Sequence, residues 1–126
     1  MKSLAFEQRA VKKLLSDLVR SRLQRFPRSG EKLQAPSGRG VYLIYDGRGR
    51  VVHVGRTPKA RGGIAQRLRD HMAAASSFTL QYLKGKGSKL RGNYSYRCLV
   101  VENRRHRALL EAYATGCLCP AHIGLG

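Results

Sequence analysis

A chain of 126 residues holds one domain with one core and has no room for a second sizeable one. With 42% apolar residues it can fold, which excludes a disordered basic tail. Its 25 Lys and Arg face only 7 Asp and Glu; the net charge of +18 runs along the whole chain and implies a basic folded face that neutralises phosphates. Arg outnumbers Lys, which suits forked contacts to phosphate oxygens. The partner implied is a nucleic acid.

Three cysteines, Cys98, Cys117 and Cys119, make an odd count without framework spacing, so reduced thiols in a cytoplasmic protein are expected. Cys117, Cys119 and His122 supply three zinc ligands with no second pair at finger spacing, and two buried thiols at a helix end are the better reading. No window approaches the ~20 apolar residues of a membrane span. After Met1-Lys2 the apolar stretch is broken by Glu7, Arg9, Lys12 and Lys13, unlike a signal peptide.

In chain order, residues 2 to 26 read as an amphipathic helix. Leu4, Val11, Leu14, Leu15, Leu18 and Leu23 recur at helical steps, Ser3 caps the start and Pro27 lies past the end. A linker rich in Pro, Ser and Gly follows to Gly40. A hairpin comes next, with strands near 40–45 and 50–55. A second helix covers about 63 to 75, and "SSFTLQYLKG" reads as a short helix. "KGKGSKLRGN" is a basic loop and "YSYRCLVVE" a third strand. "NRRHRALLEAYATG" is a helix stopped at Gly116, and the tail is irregular. The expected fold is α/β: a small three-stranded antiparallel sheet flanked by helices, with an extra N-terminal amphipathic helix. Residues 1–36 form the helix and linker, and 37–126 the main domain.

Within the hairpin, a turn at Asp46 to Gly49 makes Tyr42 oppose His53 and Leu43 oppose Val52. Opposed side chains share a face, with Cβ atoms about 5 Å apart. Val41, Leu43, Val52 and Val54 then form the core face. Tyr42 and His53 form an ordinary cross-strand pair or one edge of a polar site. In "GGIAQRLRDHM", Arg67 and His71 stand four apart on one side of a helix, beside an apolar stripe of Ile64, Leu68 and Met72. Together they suit a phosphate oxygen and a proton exchange. Glu111 is the one acid in a helix of bases and small apolar residues. It is either a salt-bridge partner of Arg107 or Arg104, worth little, or a ligand for a divalent metal.

Gly40-Val41-Tyr42, followed after a turn by His53-Val54-Gly55, resembles the paired motifs of the GIY-YIG nucleases. The resemblance continues through "QRLRDHM" and "ALLEAY" to "CP". It implies a metal-dependent DNA endonuclease. Tyr42 matches a tyrosine that activates water, Arg67 the arginine on the scissile phosphate, and His71 a histidine that takes up the tyrosine's proton. Glu111 matches the glutamate that holds one Mg²⁺ or Mn²⁺, and Gly40 and Gly55 match the motif glycines. Two positions depart from the pattern. His53 stands where the second motif has Tyr, leaving Tyr42 and His53 both open as the base, and Ala121-His122-Ile123 lacks the family's Asn.

Arg56, Lys59 and Arg61 after the second strand, and Lys84, Lys86, Lys89 and Arg91 in the basic loop, are the expected grip on a phosphate backbone. Tyr82, Tyr94 and Tyr96 lie near the second group as candidates to stack on unpaired bases, with at least one of Tyr94 and Tyr96 belonging to the core. DNA is favoured over RNA, and single-stranded DNA over duplex. The alternatives are a non-catalytic nucleic-acid-binding protein that keeps the fold, and a ribosome-associated basic protein.

Overall fold

The computed structural model describes residues 4–58, 62–73 and 75–124. The elements run α1 (Leu4–Arg20), β1 (Gln24–Arg25), β2 (Gly40–Tyr45), β3 (Val51–Arg56), α2 (Ile64–Met72), α3 (Ser77–Gln81), a 3₁₀ turn (Gly87–Leu90), β4 (Ser95–Val100) and α4 (Arg104–Leu118). This is an α/β fold around an antiparallel sheet of four strands, ordered β1-β4-β2-β3. The expected three strands gain a fourth because Gln24 and Arg25 pair with Tyr96 and Ser95. The first helix is correspondingly shorter than its apolar spacing predicts. At its end Ser21 takes the Leu18 carbonyl with both its backbone N–H and its hydroxyl, at 3.2 and 2.7 Å, and turns the chain into the sheet. Ser3, read as its cap, lies outside the described residues.

The sheet separates two apolar layers. On one side Val41, Leu43 and Val54 pack with Leu18 of α1 and Leu110 and Ala114 of α4. On the other, Tyr42, Ile44 and Val52 pack with Ile64 and Leu68 of α2, Phe78 of α3, and Phe26 and Tyr96. Tyr96 therefore belongs to the core, while Tyr82 and Tyr94 pack partly buried at its margin.

The linker does more than connect. The Gly38 and Pro36 carbonyls accept from the Ile64 and Ala65 N–H groups, at 2.9 Å each, and so satisfy the start of α2 where Gly63 offers no side-chain cap. The turn in the basic loop is likewise structural, since Leu90 is fully buried. At the other end of the chain, Asn103 caps α4 by accepting from the His106 N–H at 3.0 Å. The helix runs through Gly116 and ends only at Cys119, whose left-handed φ of 46° closes it. This extra turn puts Leu118 against the core and leaves Cys117 and Cys119 exposed rather than buried. No helix among the described residues is long and apolar enough to cross a membrane.

Candidate functional site

The hairpin register differs from the simplest one by two residues. Tyr42 pairs with Gly55 and Ile44 with His53, while Tyr45 pairs with Val51 and leaves Val52 as an extra residue in a bulge. Val52 thereby joins the Tyr42 layer instead of the Val41 layer. A two-residue shift preserves the face, so Tyr42 and His53 still share one, with ring centroids 6.2 Å apart. Gly55 is required beneath the phenol: a Cβ there would sit 2.3 Å from the Tyr42 hydroxyl. At Gly40 a Cβ would meet the Leu99 carbonyl at 2.0 Å. Both motif glycines thus let side chain or strand close onto the hairpin.

Helix α2 delivers Arg67 and His71 to this face. The Tyr42 hydroxyl lies 2.7 Å from His71 Nε2, in the pairing the sequence suggests. His71 Nδ1 lies 2.6 Å from Ser76 Oγ, Ser76 Oγ lies 3.1 Å from Thr79 Oγ1, and the Thr79 hydroxyl donates to the His71 carbonyl at 2.5 Å. One direction gives every hydrogen in this chain an acceptor. Thr79 donates to the carbonyl, Ser76 to Thr79, His71 Nδ1–H to Ser76, and Tyr42 to the bare Nε2 of His71. Burial holds His71 neutral, its pKa lowered to about 2 with help from His53, Arg67 and His122. Burial also raises the Tyr42 pKa to about 12 against the opposing pull of Arg67. The phenol is consequently a protonated donor at neutral pH.

His53 lies stacked on Phe78 at 4.6 Å, with His71 edge-on at 5.2 Å. Its Nδ1 is 3.2 Å from Nδ1 of His122, whose Nε2 is 2.8 Å from Gln81 Oε1. The C-terminal segment places His122 by running along β3, with the Ala121 and His122 N–H groups donating to the Val51 and Val52 carbonyls. Burial, His122 and Arg67 lower the His53 pKa to about 3.

Arg67 donates from Nη1 to Asp70 at 3.4 Å. Its Nε is buried with no hydrogen-bond partner, alone in that among the buried side-chain nitrogens and oxygens of the described residues. An unmet donor of this kind costs about 1–3 kcal/mol unless something fills it.

Glu111 approaches from α4 on the other side of the sheet, near enough that its charge acts on Tyr42. It pairs with Arg56 at 3.4 Å, not with Arg104 or Arg107. Arg107 is committed to the Val101 and Glu102 carbonyls at 3.1 and 2.9 Å. Burial raises the Glu111 pKa, while Arg56 and Arg67 oppose the rise. The carboxylate lines a cavity of ≈ 850 Å³ together with Arg56, Thr57 and Arg104.

The structure thus gathers Tyr42, His53, Arg67 and His71, and brings Glu111 within electrostatic reach. The grip residues are more scattered. Arg56 ends β3 and is engaged by Glu111, Lys84, Lys86 and Lys89 are exposed, and Arg91 is exposed and donates to the Arg28 carbonyl at 3.4 Å. Lys59 and Arg61 lie outside the described residues. The sequence reading missed Ser76, Thr79 and Gln81, which become site residues only through tertiary contact. It also missed a basic cavity of ≈ 640 Å³ bordered by Arg22, Arg25, Arg28 and Lys32 at the β1 edge. Compared with known proteins, the chain matches no family model and no curated sequence.

Proposed function

We propose that the protein is a metal-dependent endonuclease of the GIY-YIG type, hydrolysing phosphodiester bonds in DNA. The observation that carries this reading is the buried Nε of Arg67, which has no hydrogen-bond partner among the described residues, on a side chain near enough to Tyr42 to oppose the rise in its pKa. A guanidinium held with a donor to spare is an anion site, and a phosphate oxygen is the anion that matches a chain of net charge +18.

Glu111 fits the role of metal ligand. The described residues contain no cluster of three ligating groups. A single carboxylate suits Mg²⁺ or Mn²⁺, which takes phosphate oxygens and water for its other positions. The Arg56 pair, long and partly open to solvent, is loose enough to give way. When bound, the ion supplies Lewis-acid polarisation of the phosphate. The remaining work falls to the chain. Arg67 orients the phosphate and offsets charge as the pentavalent transition state forms. Tyr42 and His53 flank the space for the attacking water, and neutral His71 stands ready to receive the Tyr42 proton. Lys84, Lys86 and Lys89 give an exposed surface for the flanking backbone, and strandedness or structure is the feature recognised.

Labelled single- and double-stranded DNA incubated with Mg²⁺, Mn²⁺ or EDTA tests the reading. Cleavage that needs the metal and favours single strands is expected. Tight, salt-sensitive binding without cleavage would instead mark a binding protein that keeps the fold.

A further inference from the structure

His53 has two ring nitrogens, and only Nδ1 has a hydrogen-bond partner among the described residues. Which nitrogen carries the hydrogen follows from the neighbours. Gln81 Oε1 has no hydrogen to give, so at 2.8 Å it accepts from His122 Nε2. A neutral imidazole carries one N–H, so His122 Nδ1 is a bare lone pair. Burial lowers the His122 pKa and keeps that ring neutral near pH 7. Across the 3.2 Å separation His53 Nδ1 must therefore be the donor. The remaining nitrogen, His53 Nε2, is left unprotonated and unpartnered.

Tyr42 is set the opposite way. Its only hydrogen goes to His71 Nε2, in a series that ends at the His71 carbonyl. Of the two candidates for the base, one arrives with its proton held and the other with a lone pair free.

We propose that Gln81, acting through His122, is a positioning residue that fixes His53 as the proton acceptor of the hydrolysis. The inference rests on the nuclease reading above. In the step assigned, a water O–H bond breaks and its proton passes to His53 Nε2. The electron pair left on the water oxygen forms the new P–O bond, and the scissile P–O bond breaks with its pair leaving on the departing oxygen. The phosphate held at Arg67 favours the transfer. Burial first, then His122 and Arg67, lower the basicity of His53, and an anion on the guanidinium cancels the share due to Arg67. The imidazolium then returns its proton to solvent. An imidazole that accepts at Nε2 is a different device from a phenol that donates to His71, and it needs the support at Nδ1 that His122 and Gln81 provide.

Two readouts test the proposal. The first is ¹⁵N NMR of the histidine rings in the full chain near neutral pH, without metal or DNA. His53 is expected with hydrogen on Nδ1 and His122 with hydrogen on Nε2; hydrogen on His53 Nε2 overturns the proposal. The second is cleavage by Gln81→Glu, which keeps an acceptor, and Gln81→Lys, which offers only donors. Gln81→Glu is expected to keep more of the rate than Gln81→Lys. Gln81→Lys is expected to lose about 10²-fold in kcat at unchanged KM, the size of a general-base contribution. Equal cutting by both variants overturns the proposal. A wild-type chain that shows the expected tautomers but cuts no nucleic acid overturns the nuclease reading and leaves the hold of Gln81 on His53 standing.

Discussion

The two faces of the sheet are built from the same strands and put to different uses. Toward α1 and α4, Val41, Leu43 and Val54 meet Leu18, Leu110 and Ala114 in a layer of aliphatic side chains. Toward α2 and α3, alternate residues of the same two strands carry a phenol and an imidazole, and α2 adds a second imidazole and a guanidinium. The first face needs only volume and apolarity, which many sequences supply. The second buries polar groups that cost free energy unless each finds a partner, and it meets that cost with two directed hydrogen-bond series. Among the buried side-chain nitrogens and oxygens of the described residues, only Arg67 Nε lacks a hydrogen-bond partner. A surplus donor in an otherwise satisfied network is where a ligand belongs.

Substitutions on the two faces should therefore separate activity from stability. On the polar face, Arg67→Ala is expected to lower kcat/KM by about 10²–10³-fold, the size of one lost charge-stabilising donor. The thermal midpoint should move little, since the Nε has no hydrogen-bond partner among the described residues and the Nη1 bond to Asp70 is long and partly exposed. A large drop in midpoint would mean that Arg67 serves the fold. On the apolar face, Leu110→Ala is expected to cost about 2–5 kcal/mol in denaturant unfolding, through lost burial and a cavity under the sheet. Cleavage per folded molecule should stay near wild type.

The faces should also part company in acid. His53 and His71 are neutral in the fold, with pKa values lowered to about 3 and about 2 by burial first and by neighbouring charge second. Unfolded histidines titrate near about 6.5. Protonation therefore favours the unfolded chain: stability is intact above pH ~6.5 and declines as pH falls from there toward ~3. Thermal unfolding across that range should show the decline, and His53→Gln should flatten it. Leu110→Ala should lower the whole curve without changing its slope.

Much of the apolar packing on both faces was legible from pattern. Leu18, Leu43, Ile64 and Leu68 sit where periodicity puts them, because burial of a repeated apolar side chain is a local signal. The departures come from long-range competition. Leu23 fits a helical stripe, but Ser21 and the pairing of Gln24 with Tyr96 end the helix first. Val52 fits an alternating strand, but the bulge turns it to the other side. Gly116 reads as a stop, yet the left-handed turn falls three residues past it, at Cys119. Tyr42, Arg67 and His71 were legible as a group through their resemblance to a family's motifs. Ser76, Thr79 and Gln81 were not, because a serine that caps a short helix gives no sign in sequence that it also receives an imidazole hydrogen.

The central claim is that this polar face hydrolyses phosphodiester bonds with a metal at Glu111. Single-turnover cleavage of a labelled DNA strand by wild type and Glu111→Gln, over a titration of Mg²⁺ and with binding measured in parallel, tests it most directly. Metal polarisation is worth several kcal/mol, so the account predicts similar DNA binding and a rate lower by about 10³-fold or more in the variant. Equal rates in the two chains, or a wild type that binds DNA and never cuts it at any Mg²⁺ concentration, would contradict it.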